Sequence, residues 1–157
     1  MSDLQSTIHH HPFKRQTYDP LVAKDSKSLF VFTGTVKIGT PQQTFSFLFD
    51  TGSYNFWVRS NECFSASCIG LPAFNPNASS TFVNLSSAAS TIKYVDGTTI
   101  KGYSALESIS LGNITNQNQK FEAATDSNDD TSTYDGIMGY YLLSNFLGCL
   151  LVPLLVI

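Results

Sequence analysis

Between residues 44 and 49 the chain reads Thr-Phe-Ser-Phe-Leu-Phe, so Phe45, Phe47 and Phe49 alternate with other residues. A period of two puts three rings on one face of a strand. No segment before residue 140 repeats its apolar residues at the 3.6-residue period of a helix. Further β-branched and aromatic runs lie nearby, at residues 29–38, 56–58, 106–111 and 121–125. Turn signals punctuate them: Gly39-Thr40-Pro41, Asp96-Gly97 and Gly112-Asn113. The Asp-Gly pair between residues 91–95 and 98–103 predicts a hairpin. The expectation is an all-β chain with a barrel-like or sandwich body.

Composition sets the outer bounds. A chain of 157 residues is one domain, or half of a larger one. Hydrophobic residues make up 42%, enough for a core, while charged residues make up only 13%. That balance excludes a coiled coil, a collagen and a disordered charged tail. A net charge of −3 argues against nucleic acid as a partner, because such a surface must be basic.

The two ends read differently from the middle. Residues 1–27 form an N-terminal segment whose first twenty residues lack the apolar stretch of a secretory signal. His9, His10 and His11 read as a solvated run rather than a metal site, and neither a metal nor a cofactor is expected. Lys14-Arg15 is either a processing site that would release a mature chain or an ordinary basic pair. At the other end no charge follows Asp135, and residues 141–157 form an apolar tail. Its length approaches that of a membrane span. A membrane or lipid-anchor signal, a buried segment and a read-through ending all fit.

Cys63 and Cys68 bracket Phe-Ser-Ala-Ser and are placed to close a small disulfide. With no histidine beside them they do not make a zinc site. Cys149 stands apart in the tail. Asn77-Ala-Ser, Asn84-Leu-Ser and Asn113-Ile-Thr are N-glycosylation sequons. Disulfide and sequons together point to the secretory or vacuolar pathway or the cell exterior.

The chemistry centres on Phe49-Asp50-Thr51-Gly52-Ser53. Asp50 closes an apolar strand, and the glycine after Thr51 permits a tight turn. A carboxylate among phenylalanines, with hydroxyls beside it, suits a general base that activates water. The triplet taken alone is a weak signal and fits an ordinary turn aspartate better. Its neighbours decide: Ile38-Gly-Thr-Pro41 before it, Trp57 and the 63–68 cysteine pair after it, then Tyr94-Val-Asp-Gly97 and Asp135-Gly-Ile-Met-Gly139. In this order, residues 28–140 resemble the N-terminal lobe of a pepsin-like aspartic endopeptidase.

The resemblance implies an all-β lobe closed by a ψ-shaped loop, with a role for each matched residue. Asp50 would be one catalytic aspartate. Thr51 would bond across to a second lobe, Gly52 would shape the turn, and the Ser53 hydroxyl would bond the catalytic carboxylate. Tyr94, Asp96 and Gly97 would form a flap over bound peptide, with Trp57 holding the tyrosine. Cys63 and Cys68 would pair, and Ile137-Met138-Gly139 would complete the loop beneath Asp50. The Asp96 carboxylate near the cleft would favour a basic side chain in the substrate.

Such enzymes attack with water held between two carboxylates that share one proton. This chain has one Asp-Thr-Gly and no second Asp-Ser/Thr-Gly. The second carboxylate is therefore expected on a missing C-terminal lobe, and the chain alone is expected to be inactive. That position of the tail favours truncation or read-through over a membrane anchor. The partners expected are a protein or peptide substrate and the second lobe, with membrane contact through the tail as a further reading. The alternative function is a non-catalytic peptide-binding or membrane-tethered module. Pairing of two copies through two Asp50 residues is disfavoured by the long apolar tail.

Overall fold

The computed structural model describes residues 21–26, 29–85, 88–129 and 131–139. Nine strands occur among them: β1 (Val22–Ser26), β2 (Leu29–Ile38), β3 (Gln43–Asp50), β4 (Phe56–Arg59), β5 (Val83–Asn84), β6 (Ser90–Lys93), β7 (Thr99–Leu111), β8 (Ile114–Ser127) and β9 (Gly136–Gly139). Two single turns of 3-10 helix, Ala66–Cys68 and Pro76–Ala78, complete the described elements. The fold is all-β.

The strands pair in the order β1-β2-β3-β9-β4-β8-β7-β5, with β6 on β7 and a further β2–β7 pairing. That last pairing joins Val36 to Leu111 and Ile38 to Ile109. It closes β2, β3, β9, β4, β8 and β7 into a barrel, so that each of these six strands is paired on both sides. β1 pairs with β2 in antiparallel register, so the sheet already begins inside the segment expected to precede the lobe. Residues 98–103 and 106–111, expected as separate strands, run on as the single strand β7. Two register shifts against β8 bend this long hairpin and let it serve both the barrel wall and its rim. Residues 121–125 are likewise only part of β8.

β9 carries the ψ-shaped arrangement. β3 and β4 are consecutive yet do not pair with each other; β9 lies between them, parallel to β3 and antiparallel to β4. Room for it comes from glycine. A Cβ on Gly136 would lie 2.2 Å from the Trp57 carbonyl oxygen and 2.7 Å from the Phe47 ring. A Cβ on Gly139 would lie 2.5 Å from the Ser53 carbonyl oxygen.

Alternation along these strands builds two cores. Phe47, Met138, Val58 and Ala123 face the barrel interior together with Phe45, Phe74 and Phe121. Their neighbours Ile137, Trp57 and Ala124 face a second cluster with Ile100, against which Leu48 packs. β4 therefore buries both faces, and Trp57 and Val58 have no exposure. Inside the barrel, Phe47 and Phe56 meet edge-on at 5.5 Å, and Phe74 and Phe121 at 5.8 Å. Phe49 packs partly buried on the same interior cluster, as the alternation predicted.

Candidate active site

Asp50 is the last residue of β3 and lies beside Gly139, the last residue of β9. Both strands end at one point, and the chain turns through residues 51–55 before re-entering as β4. The Gly139 N–H donates to the Asn55 carbonyl at 2.8 Å, tying β9 to that turn. The Gly52 N–H donates to Asp50 Oδ1 at 2.8 Å. A donor aimed at a carboxylate oxygen fixes the direction of the side chain. Asp50 is half-buried, whereas Thr51 and Gly52 are exposed.

The expected bond from Ser53 to the Asp50 carboxylate is not formed. Ser53 Oγ is buried without a hydrogen-bond partner. The backbone of Gly52 supplies the donor instead, because the tight turn brings its N–H onto the carboxylate.

Above this turn stands the hairpin of β6 and β7. The Tyr94 N–H donates to Thr98 O at 2.8 Å, and the Gly97 N–H to Tyr94 O at 3.1 Å. Asp96 Oδ1 accepts the Thr98 N–H at 2.9 Å, so this carboxylate caps its own turn. Val95 is fully exposed at the tip. Trp57 Nε1–H donates to the Tyr94 hydroxyl at 2.9 Å, which joins the hairpin to the cluster beneath it. Tyr94 and Ile92 pack on that cluster, and so does Tyr134.

Burial pushes the Tyr94 phenol up to about 12; the Asp50 charge adds to the rise, while Trp57, Ser53 and Asn55 oppose it. Burial also raises Tyr103 and Tyr134, helped respectively by Glu62 and by Asp129. An unfolded tyrosine ionises near pH 10. All three raised phenols therefore favour the folded state fully below pH 10, and this contribution fades as pH climbs through their folded values. Guanidinium unfolding followed at pH 9 and pH 11.5 is expected to show the midpoint falling at the higher pH. An unchanged midpoint would contradict the burial of these hydroxyls.

A charged cluster that the sequence did not reveal braces β9 from behind. Arg59, at the end of β4, has no exposure. Its Nη1 donates to Tyr134 O at 2.8 Å and its Nη2 to Thr131 O at 2.7 Å. Nη1 also lies 3.7 Å from Asp135 Oδ1. Asp135 Oδ2 accepts the Ser46 N–H at 2.8 Å, so one carboxylate links β3, β4 and the entry to β9. The Tyr134 hydroxyl donates to Asp129 Oδ2 at 3.0 Å. Burial pushes the guanidinium down from its ordinary value, and Asp129 and Asp135 push it back up.

Cys63 and Cys68 form the disulfide. Asn77, Asn84 and Asn113 are all exposed, Asn77 in a 3-10 turn, Asn84 in β5 and Asn113 in the β7–β8 turn. No group of three or more His, Cys, Asp or Glu among the described residues is placed to hold a metal ion. No helix among them is long and apolar enough to cross a membrane. The histidine run, the Lys14-Arg15 pair, Cys149 and the apolar tail lie outside the described residues.

Comparison with known proteins agrees with this geometry. The family model for eukaryotic aspartyl proteases matches residues 31–146. Pepsin A of Gallus gallus is 37% identical over 136 residues, covering 83% of this chain and 35% of that protein. Gastricsin of Suncus murinus is 32% identical over 149 residues, covering 88% of this chain and 37% of that protein. Gastricsin of Homo sapiens is 35% identical over 126 residues, covering 78% and 31% respectively. The chain thus spans about a third of the length of these curated relatives. With strand-end aspartate, inserted β9 and tyrosine-bearing hairpin in one lobe, the chain belongs to the eukaryotic aspartyl protease family.

Proposed function

We propose that this chain supplies one half of an aspartic endopeptidase centre, with Asp50 as one of its two carboxylates. The observation that carries the reading is the placement of Asp50. It ends β3 beside β9, holds a backbone N–H on one oxygen, and lies electrostatically within reach of Tyr94. A protein or peptide substrate would lie between this turn and the hairpin, with Tyr94 and its neighbours Asp96 and Gly97 above it. Water would be held between Asp50 and a second aspartate. Two carboxylates about 3 Å apart cannot both ionise, so the pair shares a proton. The ionised member takes a proton from water as it attacks the carbonyl carbon, and the protonated member hydrogen-bonds the carbonyl oxygen. The flap excludes bulk water during the step.

The second carboxylate would come from a second lobe, because the chain carries a single Asp-Thr-Gly. Thr51 is exposed at the turn and so available to a surface laid over it. The lobe is taken to span residues 28–140, with 1–27 preceding it and 141–157 as a separate tail. The disulfide and the exposed sequons at Asn77, Asn84 and Asn113 support a glycosylated protein of the secretory route.

Incubating the chain and its Asp50→Asn variant with a denatured protein at pH 2–6 tests the half-site. Both are expected to leave the substrate intact. Asp50-dependent cleavage by a monomer would contradict the need for a second lobe. Binding of an extended peptide or of pepstatin by the chain alone, without turnover, would favour the second reading, a peptide-binding module.

A further inference from the structure

Among the described residues the base of the flap is joined to the body of the lobe by the packing of Ile92 and by a hydrogen bond from Ser90 Oγ to Glu122, and its tip is held at two points, of which Trp57 is only one. Among the described strands β6 pairs with β7 alone, so the outer strand of the flap has no second neighbour. A two-stranded tip of this kind is marginally stable by itself. Its rigidity must come from contacts at its ends. Trp57 holds Tyr94 at the entry to the turn. At the exit, Asn128 makes three hydrogen bonds. Its Oδ1 accepts the Thr99 N–H at 2.6 Å, its Nδ2 donates to Gly97 O at 3.2 Å, and its own N–H donates to Thr99 O at 3.2 Å. A carboxamide is the side chain that serves both requirements, since it accepts with one atom and donates with the other.

Asn128 is itself held from below. It follows Ser127, the last residue of β8. The Ser127 N–H donates to Ser65 Oγ at 3.1 Å, and Ser67 Oγ donates to the Ser127 carbonyl. Ser65 and Ser67 both lie within the ring that the Cys63–Cys68 bond closes. The 3-10 turn Ala66–Cys68 sits in the same ring. Both main-chain groups of Ser127 are therefore gripped by a covalently closed loop, one residue before the side chain that grips the flap.

We propose that Asn128 is a positioning residue that latches the flap, and that the disulfide loop anchors this latch through Ser65, Ser67 and Ser127. The inference rests on the reading of the Tyr94 hairpin as a substrate-covering flap. The consequence for that site is specific. The loop that carries Cys63 and Cys68 sets where the flap rests, although it bonds Ser127 rather than the hairpin itself.

Amide hydrogen exchange on the full chain tests this. Asn128→Ala is expected to speed exchange of the Thr99 amide at least about tenfold, through loss of its acceptor. Amides of Phe45 and Phe47 in the barrel should keep their parental rates. Asn128→Asp keeps an acceptor for Thr99 but loses the donor to Gly97, so a smaller acceleration is expected. The double variant Cys63→Ser, Cys68→Ser should speed Thr99 in the same direction as Asn128→Ala. Unchanged Thr99 exchange in folded Asn128→Ala would overturn the latch. Acceleration spread equally over the barrel amides would also overturn it, since that is the signature of a merely structural residue. Should Asn128→Ala fail to fold, Asn128→Asp decides, and parental exchange there counts against the proposal. No substrate enters the measurement. Failure of the proteolytic reading would leave its result standing, and a null result here would leave Asp50 untouched.

Discussion

Replacing Arg59 by methionine is expected to cost the lobe about 3–5 kcal/mol, the range for breaking a buried ion pair on one side. Methionine keeps most of the side-chain length and removes the charge and its donors. The carbonyls of Thr131 and Tyr134 would lose their partners, and Asp129 and Asp135 would lose the buried cation between them. Asp135 would still accept from Ser46, but as an uncompensated carboxylate behind β9. Domains are stable by about 5–15 kcal/mol, so this loss is a large share of the total. Equilibrium unfolding followed through Trp57, the single tryptophan of the chain, gives the value. Arg59→Lys should recover part of it, because the charge returns without the planar fork. A cost below about 1 kcal/mol for Arg59→Met would mean that the cluster is not a brace, since that is the range of exposed pairs.

Gly136→Ala is expected to be as damaging, by a different route. The new methyl would stand 2.2 Å from a main-chain oxygen of β4 and 2.7 Å from the Phe47 ring. Neither is the far end of a flexible side chain. β9 would have to move out from between β3 and β4, which would separate Gly139 from Asp50. Overpacking of a tight core costs about 1–3 kcal/mol and more where the backbone must shift. A shifted Trp57 emission with lowered stability is the expected result. A variant with parental emission and stability would show that the insertion of β9 is looser than the register implies.

How far the sequence carries the structure depends on the range of the interactions. The period of two in residues 44–49 and the Asp-Gly turn at 96–97 are local signals, and β3 and the hairpin of β6 and β7 appear where they predict. The bends in β7 are not local. They arise from its pairing with β8, whose register no run of residues announces, and so one long strand read as two pieces. β9 is four residues long, too short for any periodicity, and only the order of motifs pointed to its place. That same order is what singles out Asp50, Trp57 and Tyr94 in the sequence. It does not single out Arg59, Asp129 or Asn128, since a charged or amide residue next to a strand end ordinarily reads as a solvated one. Arg59 finds its partners Thr131 and Tyr134 at 72 and 75 residues along the chain, and Asn128 finds Gly97 at 31. The Ser53 contact failed for a related reason: a side-chain hydroxyl and a backbone N–H compete for one carboxylate, and only the turn geometry selects between them.

As one carboxylate of a proposed two-aspartate centre, Asp50 requires a second lobe to act. The most direct test of that role joins this chain to the C-terminal lobe of a pepsin and measures peptide hydrolysis between pH 2 and 6, with parental and Asp50→Asn chains. Both proteins should fold with the emission of Trp57 unchanged. Pepstatin-sensitive cleavage is expected, and Asp50→Asn should lower it by about a hundred- to ten-thousand-fold, the range for removing an acid–base group. Equal rates from the two folded proteins would contradict that role.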